Sequence, residues 1–169
     1  ARARAETPGC ADLIHFNNAG AALPSAATLA AQVDHLELEA RIGGYEAYNA
    51  REDRAEAVYQ SIATLLGADR REIALSTSNS TALHLFLYSI PFAAGDRILT
   101  TQSEYGANYV AYLHITKTTG AVVEVVPNNE VGEFDVDALE AMVDDRVKLI
   151  TINHVPVSYT HLRAHETAT

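Results

Sequence analysis

One cysteine, Cys10, is all the thiol in this 169-residue chain. A single cysteine excludes an intramolecular disulfide and any Cys-rich zinc site, and it suits a cytoplasmic protein. Long apolar runs are missing too. Leu83 to Phe92 is apolar but short, and it is broken by His84, Ser89 and Pro91. It falls well below the ~20 residues of a membrane-spanning helix. No charged segment followed by an apolar one opens the chain, so no secretory signal is read there. Positive charge is scarce: 12 Lys and Arg face 22 Asp and Glu, a formal net charge of −10. That balance argues against a nucleic-acid partner. The acids are spread along the chain and read as a solvated surface. Neither GxGxxG nor GxxxxGK[ST] occurs, which argues against a nucleotide-binding α/β domain. Internal repeats are absent.

What is present suffices for one core: 48% of the residues are apolar. The most informative stretch is IALSTSNSTALHLFLYSI, residues 73–90. A short apolar run, Ile73 to Leu75, passes through small polar residues, Ser76 to Thr81, into the apolar segment Ala82 to Ile90. A buried strand turning directly into a buried helix reads this way. Ser, Thr and Asn at a helix start accept unpaired backbone N–H groups. With a ligand present, the same N–H groups and hydroxyls hold an anion, most often phosphate. The plainer reading is an over-supplied helix cap.

Around it the chain alternates. Ser25 to Ile42 reads as a helix capped by Ser25 and stopped by Gly43 and Gly44, with Leu29, Val33, Leu36 and Ala40 near one face. Ala50 to Leu66 is the clearest amphipathic helix, with Ala55, Val58, Tyr59, Ile62, Leu65 and Leu66 at helical spacing before Gly67. Four strand–helix units follow, the last without its helix. The strands are read at 73–77, 97–101, 122–126 and 148–153. The helices are read at 79–90, 107–118 and from Asp135 to about Asp144, where Phe134 and Leu139 fit a hydrophobic staple. Such alternation implies an α/β fold, a parallel sheet with helices on both faces, and ligands gathered beyond the carboxyl ends of the strands. The tips to watch are 77–81, 102–108 and 153–156.

The pattern stops at the tail, PVSYTHLRAHETAT. His154, His161 and His165 fit no usual ligand spacing, so no metal site is read there. VSYTHLRAHET resembles the translated read-through of a sequencing-library adapter. Residues 157–169 are therefore set apart as an artefactual tail.

From about Phe16 to Val155 the chain resembles the N-terminal part of class V aminotransferase-fold enzymes. These are fold type I pyridoxal-phosphate proteins that include cysteine desulfurases, C–S lyases and isopenicillin N epimerase-like enzymes. HFNNAGAALPS resembles the family's opening loop. YNAREDRAEAVYQSIATLLGA resembles the helix before the sheet, and IALSTSNSTALHLFL the phosphate-cup strand and helix. PFAAGDRILTTQSEYGAN and VGEFDVDALEAMVDDRVKLITINHV resemble the next units. Their order and spacing together carry the match. The resemblance implies the partial large domain of such an enzyme at 25–156, preceded by an arm and substrate-side loop at 1–24. It implies that Ser78, Asn79 and Ser80 form the cup for pyridoxal 5′-phosphate. Many relatives have two small hydroxyl residues where Asn79 and Ser80 stand. It implies that Tyr105 stacks on the pyridine ring; the alternative is a half-buried loop tyrosine. Asn18 would border the substrate, or be simply a turn residue beside Gly20. Glu104 and Asn108 frame the Tyr105 match and receive no chemistry of their own.

Two requirements of the family's chemistry find no match. A Lys must form the Schiff base with the cofactor, and an acid must hold the pyridine nitrogen. Lys117 and Lys148 are the two lysines here. The first suits the C-terminus of a helix, and the second opens the fourth strand at the end away from the site. No catalytic residue is therefore assigned, and the chain by itself is expected to be inactive and poorly stable, with an exposed sheet edge. The parent is expected to be a homodimer acting on an amino acid, by C–S cleavage of desulfurase or lyase type, or by transamination or epimerisation. The alternative is a non-catalytic binding or dimerisation module of the same fold.

Overall fold

The computed structural model describes residues 2–18 and 20–153. The chain divides into two compact units, Ala1–Leu75 and Ser76–Thr169. The tail from Val157 lies outside the described residues, and so do His154, His161 and His165.

The first unit is helical. It holds a short α1 (Arg2–Ala5), then α2 (Ala26–Ile42), α3 (Gly44–Ala50) and α4 (Glu52–Leu66). Ser25 caps α2 as its position requires, its Oγ accepting from the Thr28 N–H at 3.1 Å. Gly43 ends α2 at φ +97°. Gly44, read from the sequence as a second stop, instead opens α3. One glycine is enough to turn the chain. Asp34 on α2 pairs with Arg51, between α3 and α4, at 2.8 Å. The unit buries Leu38, Ala47 and Ala63, one from each long helix. The stripe read on α2 is not its buried face: Leu29, Val33 and Leu36 are exposed.

The second unit carries the sheet. α5 (Asn79–Ser89) leads to β1 (Arg97–Thr101), α6 (Gly106–Thr119), β2 (Val122–Val126), α7 (Val136–Met142) and β3 (Val147–Thr151). The strand order is β2-β1-β3, and both pairings are parallel. β1 is central, and all five of its residues are buried. β3 at the edge alternates between half-buried and exposed, the period of two of a strand with one covered face. Leu87, Ile98, Ala111, Tyr112, Ile115 and Ala121 make the core, drawn from α5, β1, α6 and the start of β2. Each large side chain among them contributes roughly 1.5–3 kcal/mol by leaving water. Gly120 ends α6 at φ +79°, and a Cβ there would sit 3.1 Å from that of Ala94. Two independent constraints therefore require glycine.

The sequence reading placed a first strand at 73–77. These residues belong to no strand. Ile73–Leu75 pairs with none of the described strands, and an extended segment without a hydrogen-bonded ladder is not a strand. The helix read as running to Asp144 ends at Met142. Its cap at Asp135 stands as read, with Oδ1 accepting from the Ala138 N–H at 2.9 Å.

At the amino end of the sheet lies an ion cluster that periodicity does not reveal. Arg97 is almost fully buried. It bonds both carboxylate oxygens of Glu124 on β2, the carbonyl of Met142 at 2.7 Å and Asp144 at 3.1 Å. Arg146 also holds Asp144, at 2.7 Å. One guanidinium thus ties β1 to β2 and to the end of α7. Its five fixed donors suit that task.

Candidate cofactor site

The parallel pairing puts Thr101, Val126 and Thr151 at the carboxyl ends of three adjacent strands. α5 and α6 begin toward that end, and they differ in charge.

Ser78 is the N-cap of α5. Its extended backbone (φ −160°, ψ 161°) lets Oγ accept from the Thr81 N–H at 3.1 Å. Oγ also meets the Thr81 hydroxyl at 2.9 Å. The Ala82 N–H is taken by the Ser78 carbonyl. That leaves the N–H groups of Asn79 and Ser80 with no partner among the described residues. The Asn79 amide and Ser80 hydroxyl beside them are equally unengaged. No acid lies in the first turn of α5. The arrangement is a set of donors with the helix dipole behind them, the environment a phosphate dianion requires.

α6 begins differently. Its N-cap is Tyr105, whose side chain makes no cap bond and whose residue is 51% exposed. The carboxylate of Glu104, one residue earlier, sits at this helix start. Oε1 accepts from the Tyr105 N–H at 2.7 Å and from Asn108 Nδ2 at 3.0 Å. Oε2 accepts from Thr100 Oγ1 at 3.0 Å and from the Tyr112 hydroxyl at 3.1 Å. The Tyr112 hydroxyl in turn meets Thr151 Oγ1 at 2.9 Å. Burial, more than the nearby Glu104 charge, pushes the Tyr112 phenol up to about 12. The dipole of α6 is thus already matched by a carboxylate at its start, and of these two helices it is α5 that offers the uncompensated positive end. A cleft of about 390 Å³ opens beside Glu104, lined also by Thr101, Gln102, Gly106, Tyr109 and Val125.

Ser78, Asn79, Ser80 and Tyr105 all lie in the second unit, the first three at the start of α5 and the last at the start of α6. Asn18 lies in the first unit. It is exposed and lines a cleft of about 520 Å³ with Arg4, Cys10, His15 and Leu23. The turn there is built by its neighbour: Asn17 Oδ1 accepts from the Gly20 N–H at 3.1 Å. Asn18 is itself a turn residue, and Asn17 supplies the side-chain bond that holds the turn. The sequence reading missed the Glu104 network. Its signal was the i, i+4, i+8 spacing of Glu104, Asn108 and Tyr112, which lines one helix face.

Neither lysine is near this end. Lys117 is in the last turn of α6, about 17 Å along the axis from Gly106 at 1.5 Å per residue. Lys148 is the second residue of β3, at the amino end of the sheet. Among the described residues no cluster of His, Cys, Asp and Glu could hold a metal ion, and no helix is long and apolar enough to cross a membrane.

Comparison with known proteins places this geometry. The sequence profile described as aminotransferase class-V matches residues 14–158. A probable cysteine desulfurase of Xylella fastidiosa (strain 9a5c) is 36% identical over 156 residues, covering 85% of this chain and 36% of that protein. A probable cysteine desulfurase of Synechocystis is 32% identical over 107 residues, covering 61% of this chain and 26% of that protein. The chain thus spans about a third of the length of the relatives it matches. Among solved structures, a mutant of C-DES with glycine covalently linked to its PLP cofactor superposes with a TM-score of 0.81 at 19% identity, over 90% of this chain and 41% of that one. The cysteine desulfurase CsdA of Escherichia coli superposes with a TM-score of 0.77 at 24% identity, over 99% of this chain and 46% of that one. At these identities the structures establish the fold, that of fold type I enzymes. The profile match covers most of the chain, and on it the chain belongs to the class-V aminotransferase family.

Proposed function

We propose that this chain is the phosphate-binding and ring-stacking part of a pyridoxal-phosphate enzyme that acts on an amino acid by C–S cleavage. The observation that carries the reading is the N-terminus of α5: two unpartnered backbone N–H groups, an amide and a hydroxyl, with no acid in the turn. That donor set fits the cofactor's phosphate, and the half-exposed Tyr105 ring fits one face of its pyridine. When bound, pyridoxal phosphate supplies an electron sink for bonds broken next to the amino acid's α-carbon.

The chain's own residues have simpler tasks. Asn79 and Ser80 hold the phosphate with N–H and O–H donors, and Ser78 keeps the helix start in register. Tyr105 covers one ring face and excludes water from it. Asn18, on its loop, borders the amino acid. Residues 25–156 are on this reading part of the large domain, with 1–24 as the substrate-side arm. C–S cleavage is preferred because both curated relatives described above carry the name cysteine desulfurase; transamination is the second choice.

Pyridoxamine 5′-phosphate tests the site directly. It has no aldehyde, so its binding needs no lysine. The chain should bind it, inorganic phosphate should compete, and Tyr105→Ala should weaken it about tenfold, the order of one base-on-ring stack. Absence of binding would remove the cofactor reading. The reaction type is tested by giving cysteine to the complete protein that carries this sequence. Alanine marks sulfur transfer, pyruvate marks lyase chemistry, and neither product ends the C–S assignment.

A further inference from the structure

We propose that Glu104 is the positioning residue for the Tyr105 ring, and that through Tyr112 it locks the start of α6 to the tip of β3. This rests on the reading of Tyr105 as the ring-stacking residue. Three observations carry it.

The first is the donor count. A carboxylate is an acceptor-only group with two oxygens. Here four donors converge on it: the Thr100 hydroxyl, the Tyr105 N–H, the Asn108 amide and the Tyr112 hydroxyl. Those donors come from the end of β1, the start of α6 and its second turn. A side chain that only capped a helix would need one or two of them.

The second is the backbone of Tyr105. Its N–H goes to Glu104 Oε1 at 2.7 Å, and its carbonyl accepts from the N–H groups of Asn108 at 2.9 Å and Tyr109 at 3.1 Å. Both peptide groups are tied, so the backbone that carries the ring is fixed and χ1 is held to the rotamers this backbone allows. An exposed ring needs that help, since half of its surface has no packing partner. Ordering it in advance spares the ligand part of the entropic cost of binding.

The third is the direction of the hydrogen bonds. Glu104 accepts from the Tyr112 hydroxyl, so the Tyr112 oxygen is left to accept from the Thr151 hydroxyl. The order Thr151 to Tyr112 to Glu104 is fixed by the carboxylate at its end. The Tyr112 ring is fully buried in the core, so the hydroxyl cannot exchange these partners for water. The anchor of Tyr105 is therefore tied to the buried core of the unit.

The test uses the whole 169-residue chain. NMR reads hydrogen exchange at the Tyr105 amide and averaging of its χ1 torsion; calorimetry reads pyridoxamine 5′-phosphate affinity. In Glu104→Ala, the Tyr105 amide should exchange about tenfold faster or more, χ1 should average, and affinity should fall as far as in Tyr105→Ala. The double substitution should bind no more weakly than Tyr105→Ala alone, because a residue acting through the ring adds nothing once the ring is gone. Additive losses, or a Tyr105 ring that stays fixed in Glu104→Ala, overturn the proposal. If Glu104→Ala does not fold, Glu104→Asp decides. It keeps the charge but is one methylene too short to reach the Tyr105 N–H and Tyr112 together. A ring averaged in Glu104→Asp supports the proposal, and a fixed one overturns it. If the unmodified chain fails to bind pyridoxamine 5′-phosphate, the cofactor reading fails, while the NMR arm still decides what Glu104 does to Tyr105.

Discussion

The Tyr112 hydroxyl, on a ring with no exposed surface, donates to Glu104 Oε2 across 3.1 Å. This one bond joins the hydrophobic core of the second unit to the start of α6 and, through Thr151, to the tip of β3. Core and site are therefore linked, and perturbing one should be read at the other.

Alkaline pH should expose the link first. The Tyr112 phenol is raised from 10.0 to about 12, so the folded chain holds its proton more tightly than the unfolded chain does. The resulting stabilisation is complete below pH 10 and is lost as pH rises from 10 to about 12. Two units correspond to about 3 kcal/mol at most. Urea midpoints measured across that window should fall in the unmodified chain. In Tyr112→Phe the fall should be much smaller, against a lower starting stability of about 1–2 kcal/mol from the lost hydrogen bonds.

Acid should act at the other end of the sheet. Arg146, with help from Arg97, holds the Asp144 carboxyl down at about 2, and Arg97 holds Glu124 below its usual range. Their contribution is present above the ordinary carboxylate values and is lost as pH falls from about 4 towards about 2. Arg97→Met should lower the thermal midpoint at neutral pH. Its deficit against the unmodified chain should shrink through that same acid window, measured by circular dichroism.

Ser78 separates capping from phosphate binding. Ser78→Ala removes the oxygen that accepts the Thr81 N–H and should cost about 1 kcal/mol of stability. Ser78→Asp supplies a capping oxygen again and should restore most of that loss. Its charge should still repel the phosphate of pyridoxamine 5′-phosphate. Stability and affinity should thus move in opposite directions in Ser78→Asp, by chemical denaturation and calorimetry on the same samples.

The parts legible in the sequence are those governed by local rules. The caps at Ser25 and Asp135, the left-handed stop at Gly67, and the strands β1 and β2 follow from spacing and backbone chemistry. The segment Ile73–Leu75 has strand composition, yet a strand needs a ladder partner, and composition does not reveal whether one is available. The α2 stripe misled for a similar reason: helical spacing names a face, but packing decides whether it is covered. At the site, the run of small polar residues marked the α5 donors plainly. Glu104 was passed over because an acid before a helix looks like an ordinary dipole partner; only the convergence of Thr100, Asn108 and Tyr112 on it gives it a second task.

The most direct test of the account is pyridoxamine 5′-phosphate titration of Asn79→Pro. Asn79 is the first residue of α5, where proline is tolerated, and the extended backbone of Ser78 suits a following proline. The substitution removes the Asn79 backbone N–H and its side-chain amide from the cup without breaking the helix. The account predicts near-normal stability with affinity weakened about tenfold or more, the worth of one N–H bond to a charged group. Unchanged affinity in a folded Asn79→Pro chain would contradict it, because the phosphate would then not be held by the α5 N-terminus.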